Sequence, residues 1–249
     1  MWQDVKAVYH DTWRAALLLP IAFLIPALVE FVQHVVEMNA GMYESRAAAK
    51  LAADDSMRTI LGYAKALAIS VPTYWFVRWL AFCDPAKAVR IELPAFGLWL
   101  VLFAISAITL AMNMFSPPLG DLLGLTGPAG QSAGPLLNNL WSIIGIYLTA
   151  WAVAWPLGNR PIGPLRSIQV MAGSFWRTLA YTALCVLPLM GAHYGLGYLA
   201  ILFAPNWLDW PILALDALVV AAMACAMAGA SYIAARHAAQ RKGVSLLPG

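Results

Sequence analysis

Six predominantly apolar stretches dominate the chain, at residues 15–36, 60–82, 93–115, 136–157, 178–203 and 211–233. Each is long enough to cross a hydrocarbon core of about 30 Å, which takes roughly 20 helical residues. The rest of the chain cannot clothe a soluble fold around them. Of 249 residues 62% are hydrophobic and only 11% are charged, against about 25% charged in an average soluble domain. The net charge of +3 is too small and too dispersed for a surface that tracks nucleic-acid phosphates. These numbers exclude an ordinary soluble enzyme, a disordered regulator and a nucleic-acid binder. The expected fold is all-α: one polytopic membrane domain over residues 1–249 with six transmembrane helices. Pro20, Pro26 and Pro188 fall within spans, where neighbouring groups can satisfy the freed carbonyls. Fourteen mostly polar residues precede the first run and no small-residue cleavage site follows it, so it reads as an uncleaved span.

Orientation follows from the basic residues in the connections. One side carries Lys6, Arg14, Lys87, Arg90, Arg160, Arg166, Arg177, Arg236, Arg241 and Lys242; the other carries Arg46, Lys50 and Arg58. Ten against three puts both termini in the cytoplasm, with residues 237–249 as a cytoplasmic tail. Arg78 is expected to snorkel at the inner end of the second span. Two cytoplasmic segments read as interfacial amphipathic helices, 1–14 and 164–177. Trp2, Val5, Val8, Tyr9 and Trp13 form the apolar stripe of the first, and Leu165, Ile168, Ala172, Phe175 and Trp176 that of the second. The two also align at a shift of 163 residues, Trp13-Arg14 falling on Trp176-Arg177. Either an internal duplication or a common preference of Trp and Arg for the inner interface accounts for this. On the outward side, 39–57 reads as a short helix lying on the periplasmic face. The Gly/Pro-rich connection 116–135 reads as a mobile loop rather than a regular helix, with a re-entrant loop as the alternative.

Ionisable groups inside a span are costly and therefore mark candidate sites. Glu30 lies sixteen residues beyond Arg14 and His193 sixteen beyond Arg177, each roughly 24 Å from the inner interface at about 1.5 Å per residue. Asp216 lies six residues past Trp210 and Lys65 six past Thr59, about 9 Å below the outer interface by the same rise. All four fall in the outer third of the bilayer. His34 and Glu37 follow Glu30 at i+4 and i+7, on one helix face. Glu30, His34, Lys65, His193 and Asp216 are therefore the candidate polar cluster. Two readings stand: a polar cavity, open outward, that binds a polar ligand or relays protons, or a structural ion pair such as Glu30 with Lys65. Glu37, and His34 with it, could instead sit among outer headgroups.

No metal, cofactor or catalytic residue is assigned. Glu30, His34 and Glu37, with His193 as a fourth group, have ligand chemistry, but their spacing matches neither HExxH nor Glu-x-x-His. No GxxxxGK[ST] loop is present. Gly229-Ala230-Ser231-Tyr232 touches the GxS pattern of intramembrane serine proteases but lacks the following glycine. With Ala222, Cys225, Ala226 and Ala230 it reads as a small-residue packing face. Gly191 and Gly195 form a GxxxG that would admit a close neighbour beside His193. Cys83, Cys185 and Cys225 show no ligand spacing and read as small buried hydrophobes.

The amphipathic start at 2–14, leading into a proline-bearing helix, and the run PLRSIQVMAGSFWR over 164–177 resemble a group of small bacterial inner-membrane proteins of unknown function. The same arrangement is similar to the membrane domain attached to some glycerophosphodiester phosphodiesterases. The resemblance implies a six-helix fold in a bacterial inner membrane and supplies no catalytic residues. The expected function is non-enzymatic support of transport or envelope maintenance through the polar cluster. The alternative is the membrane subunit of an ATP-driven permease with a separate ATPase. Expected partners are membrane lipids and other membrane subunits, and not nucleic acid.

Overall fold

The computed structural model describes residues 1–248 apart from 53–54, 118, 126 and 203–205; at 119–120, 128–131, 138 and 206 it describes the backbone alone. Phe203 at the expected end of the fifth span, Asp54 in the outward connection 39–57, residues 118 and 126 of the connection 116–135, and Gly249 lie outside the described residues. The described residues form helices and no strand. In chain order these are α1 (Trp2–Leu18), α2 (Pro20–Asn39), α3 (Arg46–Ala52), α4 (Ser56–Ser70), α5 (Thr73–Phe82), α6 (Pro85–Val89), α7 (Leu93–Phe115), α8 (Leu119–Leu122), α9 (Gly127–Tyr147), α10 (Thr149–Ala154), α11 (Pro164–Met171), α12 (Phe175–Leu202) and α13 (Asn206–Arg241). Five helical segments are long and apolar enough to cross a membrane: Pro20–Asn39, Ser56–Phe82, Leu93–Phe115, Phe175–Leu202 and Trp207–Arg241. The chain is thus all-helical and membrane-capable. The stretch expected at 136–157 is instead divided between α9 and α10, which part at Leu148, and polar Asn138 and Asn139 dilute its apolar run.

The middle of the bundle is α13, 36 residues long, about 54 Å at 1.5 Å per residue. It outruns the expected 211–233 because alanines continue its buried face: Ala234, Ala235, Ala238 and Ala239 are all buried. The segment read as a tail therefore begins inside the helix. Its remainder folds back, with Asn159 Nδ2 donating to the carbonyls of Ser245 and Leu247 and Leu246 buried in the core. Helices α1, α2, α4, α5, α10, α11 and α12 all pack on α13. At the crossing with α1, a Cβ on Gly229 would lie 2.8 Å from Val8 Cγ1 and 3.2 Å from Phe76 Cε1; only hydrogen fits there.

Helix α7 has the opposite character. Leu93, Ile108, Met112 and Phe115 all lie more than half exposed, as on a helix long and apolar enough to cross a membrane. The α1 and α11 faces are divided in a similar way. Val5 and Val8 are buried against the bundle whereas Trp2 and Trp13 are exposed; on α11, Val170 and Met171 are buried and Leu165 is exposed. The segment expected as one helix over 164–177 breaks at Gly173, whose φ of +76° suits a residue without a Cβ, so Phe175-Trp176-Arg177 begin α12.

Several expectations are corrected. Helix, not irregular loop, occupies 127–135 of the connection 116–135, as the start of α9, because Pro135 and the glycines there are carried into the apolar helix that follows. Arg78 does not snorkel: it is fully buried, paired with Glu92 Oε1 at 2.9 Å, and donates to the carbonyls of Pro156 and Lys87. Cys83 is exposed, since it occupies a left-handed position ending α5. Gly191 and Gly195 meet no described atom within 4 Å of a built Cβ, so no neighbour uses their GxxxG surface.

Candidate functional site

The backbone brings four helices to one end of the bundle. On α2, spacings of three and four put Glu30, Gln33, His34 and Glu37 on a single buried face. Beyond α2 the chain turns at Gly41, whose φ is +73°, and returns Tyr43 to the end of that face. Asp55 caps α4, its carboxylate accepting from the Met57 and Arg58 backbone N–H groups. That fixed start places Arg58 in the first turn and Lys65 two turns on. His193 comes from α12 and Asp216 from α13.

These side chains form one connected polar network. Lys65 Nζ lies 3.0 Å from Glu30 Oε2 and 3.2 Å from Oε1. Glu30 Oε1 is 3.4 Å from His34 Nε2. The same imidazole nitrogen is 2.9 Å from Asp216 Oδ2, and His193 Nδ1 is 2.8 Å from both Asp216 oxygens. On its other side, His34 Nδ1 is 3.1 Å from Glu37 Oε2 and 2.9 Å from the Tyr43 hydroxyl. Glu37 is held by three further donors: Gln33 Nε2, the Tyr43 hydroxyl and Arg58 Nε, each at 2.9 Å. The structure thus joins Glu30, His34, Lys65, His193 and Asp216.

Burial makes this network costly unless its charges balance. Glu30 and Asp216 are fully buried, and His34 and Glu37 nearly so. Three carboxylates face two permanent cations, Lys65 and Arg58, so one proton shared between the two imidazoles brings the set to neutrality. His34 is suited to carry it, because each ring nitrogen faces a carboxylate oxygen. Burial raises the Tyr43 phenol above its ordinary value, and the Glu37 carboxylate adds to the effect; Tyr43 stays a hydroxyl donor.

The network opens into a cavity of about 380 Å³. Glu30, His34, Lys65, His193 and Asp216 line it together with Tyr43, Lys50, Arg58, Gly197 and Tyr198. One ligand atom from each of Glu30, His193 and Asp216 lies within 4.8 Å of the others, a spacing at which the three could hold a metal ion. That set differs from the one the first span offered. Glu37 is not among those three groups; it lines the same cavity and its carboxylate meets His34 Nδ1 at 3.1 Å.

Sequence reasoning missed Gln33, Tyr43 and Arg58 and underused Glu37. Glu37 carried a signal, its i+7 relation to Glu30. Gln33 lies four residues before Glu37, a spacing that joins side chains on a helix. Tyr43 lies in the turn after α2 and Arg58 in the first turn of α4, and nothing in the residue pattern ties either to the first span. No family model, curated protein or solved structure matches the chain, so the chemistry of the cluster rests on its own geometry.

Proposed function

We propose that this chain is a non-enzymatic, multi-pass protein of a bacterial inner membrane that binds a polar ligand in an outward-open cavity, in support of transport or envelope maintenance. It has six spans, both termini in the cytoplasm, and α1 and α11 lying at the inner interface. The basic-residue bias of the connections supports that orientation. The outward surfaces of Trp2 and Trp13 on α1 and of Leu165 on α11 support interfacial seating of both helices. The sixth span is supplied by α9 and α10 together. The resemblance to small six-helix inner-membrane proteins agrees with this arrangement.

One observation carries the functional reading: a cluster of carboxylates, imidazoles and Lys65, its acids buried among apolar helices, lines a cavity of about 380 Å³ instead of being sealed by packing. A purely structural ion pair needs no such space, since packing would close around it. Cysteine labelling tests this. Gly197 borders the cavity and a Cβ there meets no described atom within 4 Å, so Gly197→Cys fits. In a Cys83→Ser background, a membrane-impermeant maleimide added outside intact spheroplasts labels Gly197→Cys and leaves Leu187→Cys, on an exposed apolar face of the same helix, unlabelled. An unlabelled Gly197→Cys sinks the open cavity. Stoichiometric co-purification of a separate ATPase would replace this reading with a permease subunit.

A further inference from the structure

We infer that the cavity holds a binding site for a first-row divalent transition-metal ion, formed by Glu30, His193 and Asp216 with His34 as a fourth ligand. The inference rests on the proposed open cavity and names the ligand class it takes.

The donor set is the first argument. Two imidazoles and two carboxylates suit ions such as Zn²⁺, whereas Mg²⁺ and Ca²⁺ take oxygen ligands. Distance is the second. A tetrahedral ion with bonds of about 2.0–2.2 Å holds its ligand atoms about 3.3–3.6 Å apart. His34 Nε2 is already 3.4 Å from Glu30 Oε1. It is 2.9 Å from Asp216 Oδ2, and His193 Nδ1 is 2.8 Å from Asp216 Oδ1. The latter two are hydrogen-bond lengths, so a proton now stands between the groups. Admitting an ion parts these two pairs by several tenths of an ångström and draws together Glu30 and His193, whose ligand atoms lie within 4.8 Å of each other.

The third argument is the support behind the ligands. A metal-bound imidazole characteristically donates its other N–H to a carboxylate, which fixes the ring and its tautomer. His34 meets this condition through Nδ1, 3.1 Å from Glu37 Oε2. Glu37 is in turn fixed by Gln33, Tyr43 and Arg58. An ion pair between Glu30 and Lys65 alone would not need this apparatus.

Lys65 is the competing cation. It pairs with Glu30 yet keeps 22% of its side chain exposed, so it can withdraw toward the cavity when an ion arrives. Binding releases the proton on His34 Nε2 to solvent and moves the His193 proton from Nδ1 to Nε2, with no change of oxidation state. The ligands lie on α2, α12 and α13, which explains why no contiguous metal motif announces them.

Equilibrium dialysis of the purified full chain in detergent with Zn²⁺ alone tests the site. Wild type binds one Zn²⁺ per chain, undisturbed by excess Mg²⁺. His193→Gln and Asp216→Asn weaken binding more than tenfold. Glu37→Gln weakens it by about 10–100-fold, the range for loss of a supporting carboxylate. Lys65→Met binds as tightly as wild type or more tightly. Melting temperatures without zinc establish that each variant is folded; where Asp216→Asn is not, the partly exposed His193 carries the test. No saturable Zn²⁺ binding, or equal binding by wild type and His193→Gln, overturns the inference. Failure of zinc binding with Gly197→Cys still labelled removes the metal and leaves the cavity. Failure of labelling removes the cavity itself.

Discussion

Removing Lys65 exposes the energetics of the buried cluster most cleanly. Its ammonium lies 3.0 Å from Glu30 Oε2, and Glu30 is fully buried. At that separation the attraction is about 5–6 kcal/mol for an effective dielectric constant of about 20. Desolvation offsets part of this, and breaking a buried pair usually costs about 3–5 kcal/mol. Glu30 keeps a second neighbour, His34 at 3.4 Å, and Lys65 is partly exposed, so Lys65→Met is expected to destabilise by about 2–3 kcal/mol, below that usual range. Glu30→Gln leaves Lys65 without its partner and costs a similar amount by the same reasoning. The double variant carries neither charge, so its cost falls short of the sum by about 1–3 kcal/mol. Reversible unfolding in mixed micelles, monitored by tryptophan fluorescence, measures all three. Additivity within about 0.5 kcal/mol would refute the pairing and the charge balance drawn from it.

Three other perturbations probe the frame that holds the cluster. Gly229→Ala drives a methyl into Val8 Cγ1 at 2.8 Å and is expected to cost about 1–3 kcal/mol, with Val8→Ala restoring the loss in thermal unfolding; a Gly229→Ala protein as stable as wild type would show that α1 does not sit on α13. Arg78→Lys should not replace Arg78, because one ammonium cannot serve Glu92 and the Pro156 and Lys87 carbonyls in the guanidinium geometry; the expected loss is about 2–4 kcal/mol, and unchanged stability would contradict that network. Asp4 links α1 to α12 and α13 through Tyr181 at 2.7 Å and His237 at 3.2 Å. Burial pushes its carboxyl up, but hydrogen bonds from Tyr181 and His237 outweigh this and hold it below the ordinary value. Its stabilising contribution is therefore present above about pH 4 and lost as pH falls through the lowered folded value. Asp4→Asn should flatten that acid limb of stability against pH, and an unchanged limb assigns it to another group.

What could be read from the residues follows from the solvent each one meets. A bilayer imposes a length and forbids charge, so the apolar runs and the ionisable groups inside them stand out without any structure. Glu30, His34, Lys65, His193 and Asp216 were visible for that reason. Packing imposes no such pattern. Nothing in the sequence distinguishes an arginine that reaches a headgroup from Arg78, whose guanidinium finds three internal acceptors. The GxxxG of Gly191 and Gly195 looks like a contact surface but meets no described neighbour. The same reasoning misjudged 127–135, where Gly and Pro content outweighed a helix continued from the apolar residues after it. Tyr43 and Arg58 reach the cluster through a turn at Gly41 and a cap at Asp55, and such long-range placement leaves no period to read.

Water access to the cavity is the central claim, and spin-label accessibility tests it most directly. A nitroxide on Gly197→Cys and another on Leu187→Cys, each in the Cys83→Ser background and in lipid vesicles, are compared for collision with a water-soluble nickel chelate and with oxygen. The account predicts that nickel relaxes the label at 197 more strongly than oxygen does, and that the order reverses at 187. Oxygen dominance at both positions would mean that lipid or side chains fill the space above Glu30, His193 and Asp216, and would contradict an outward-open polar site.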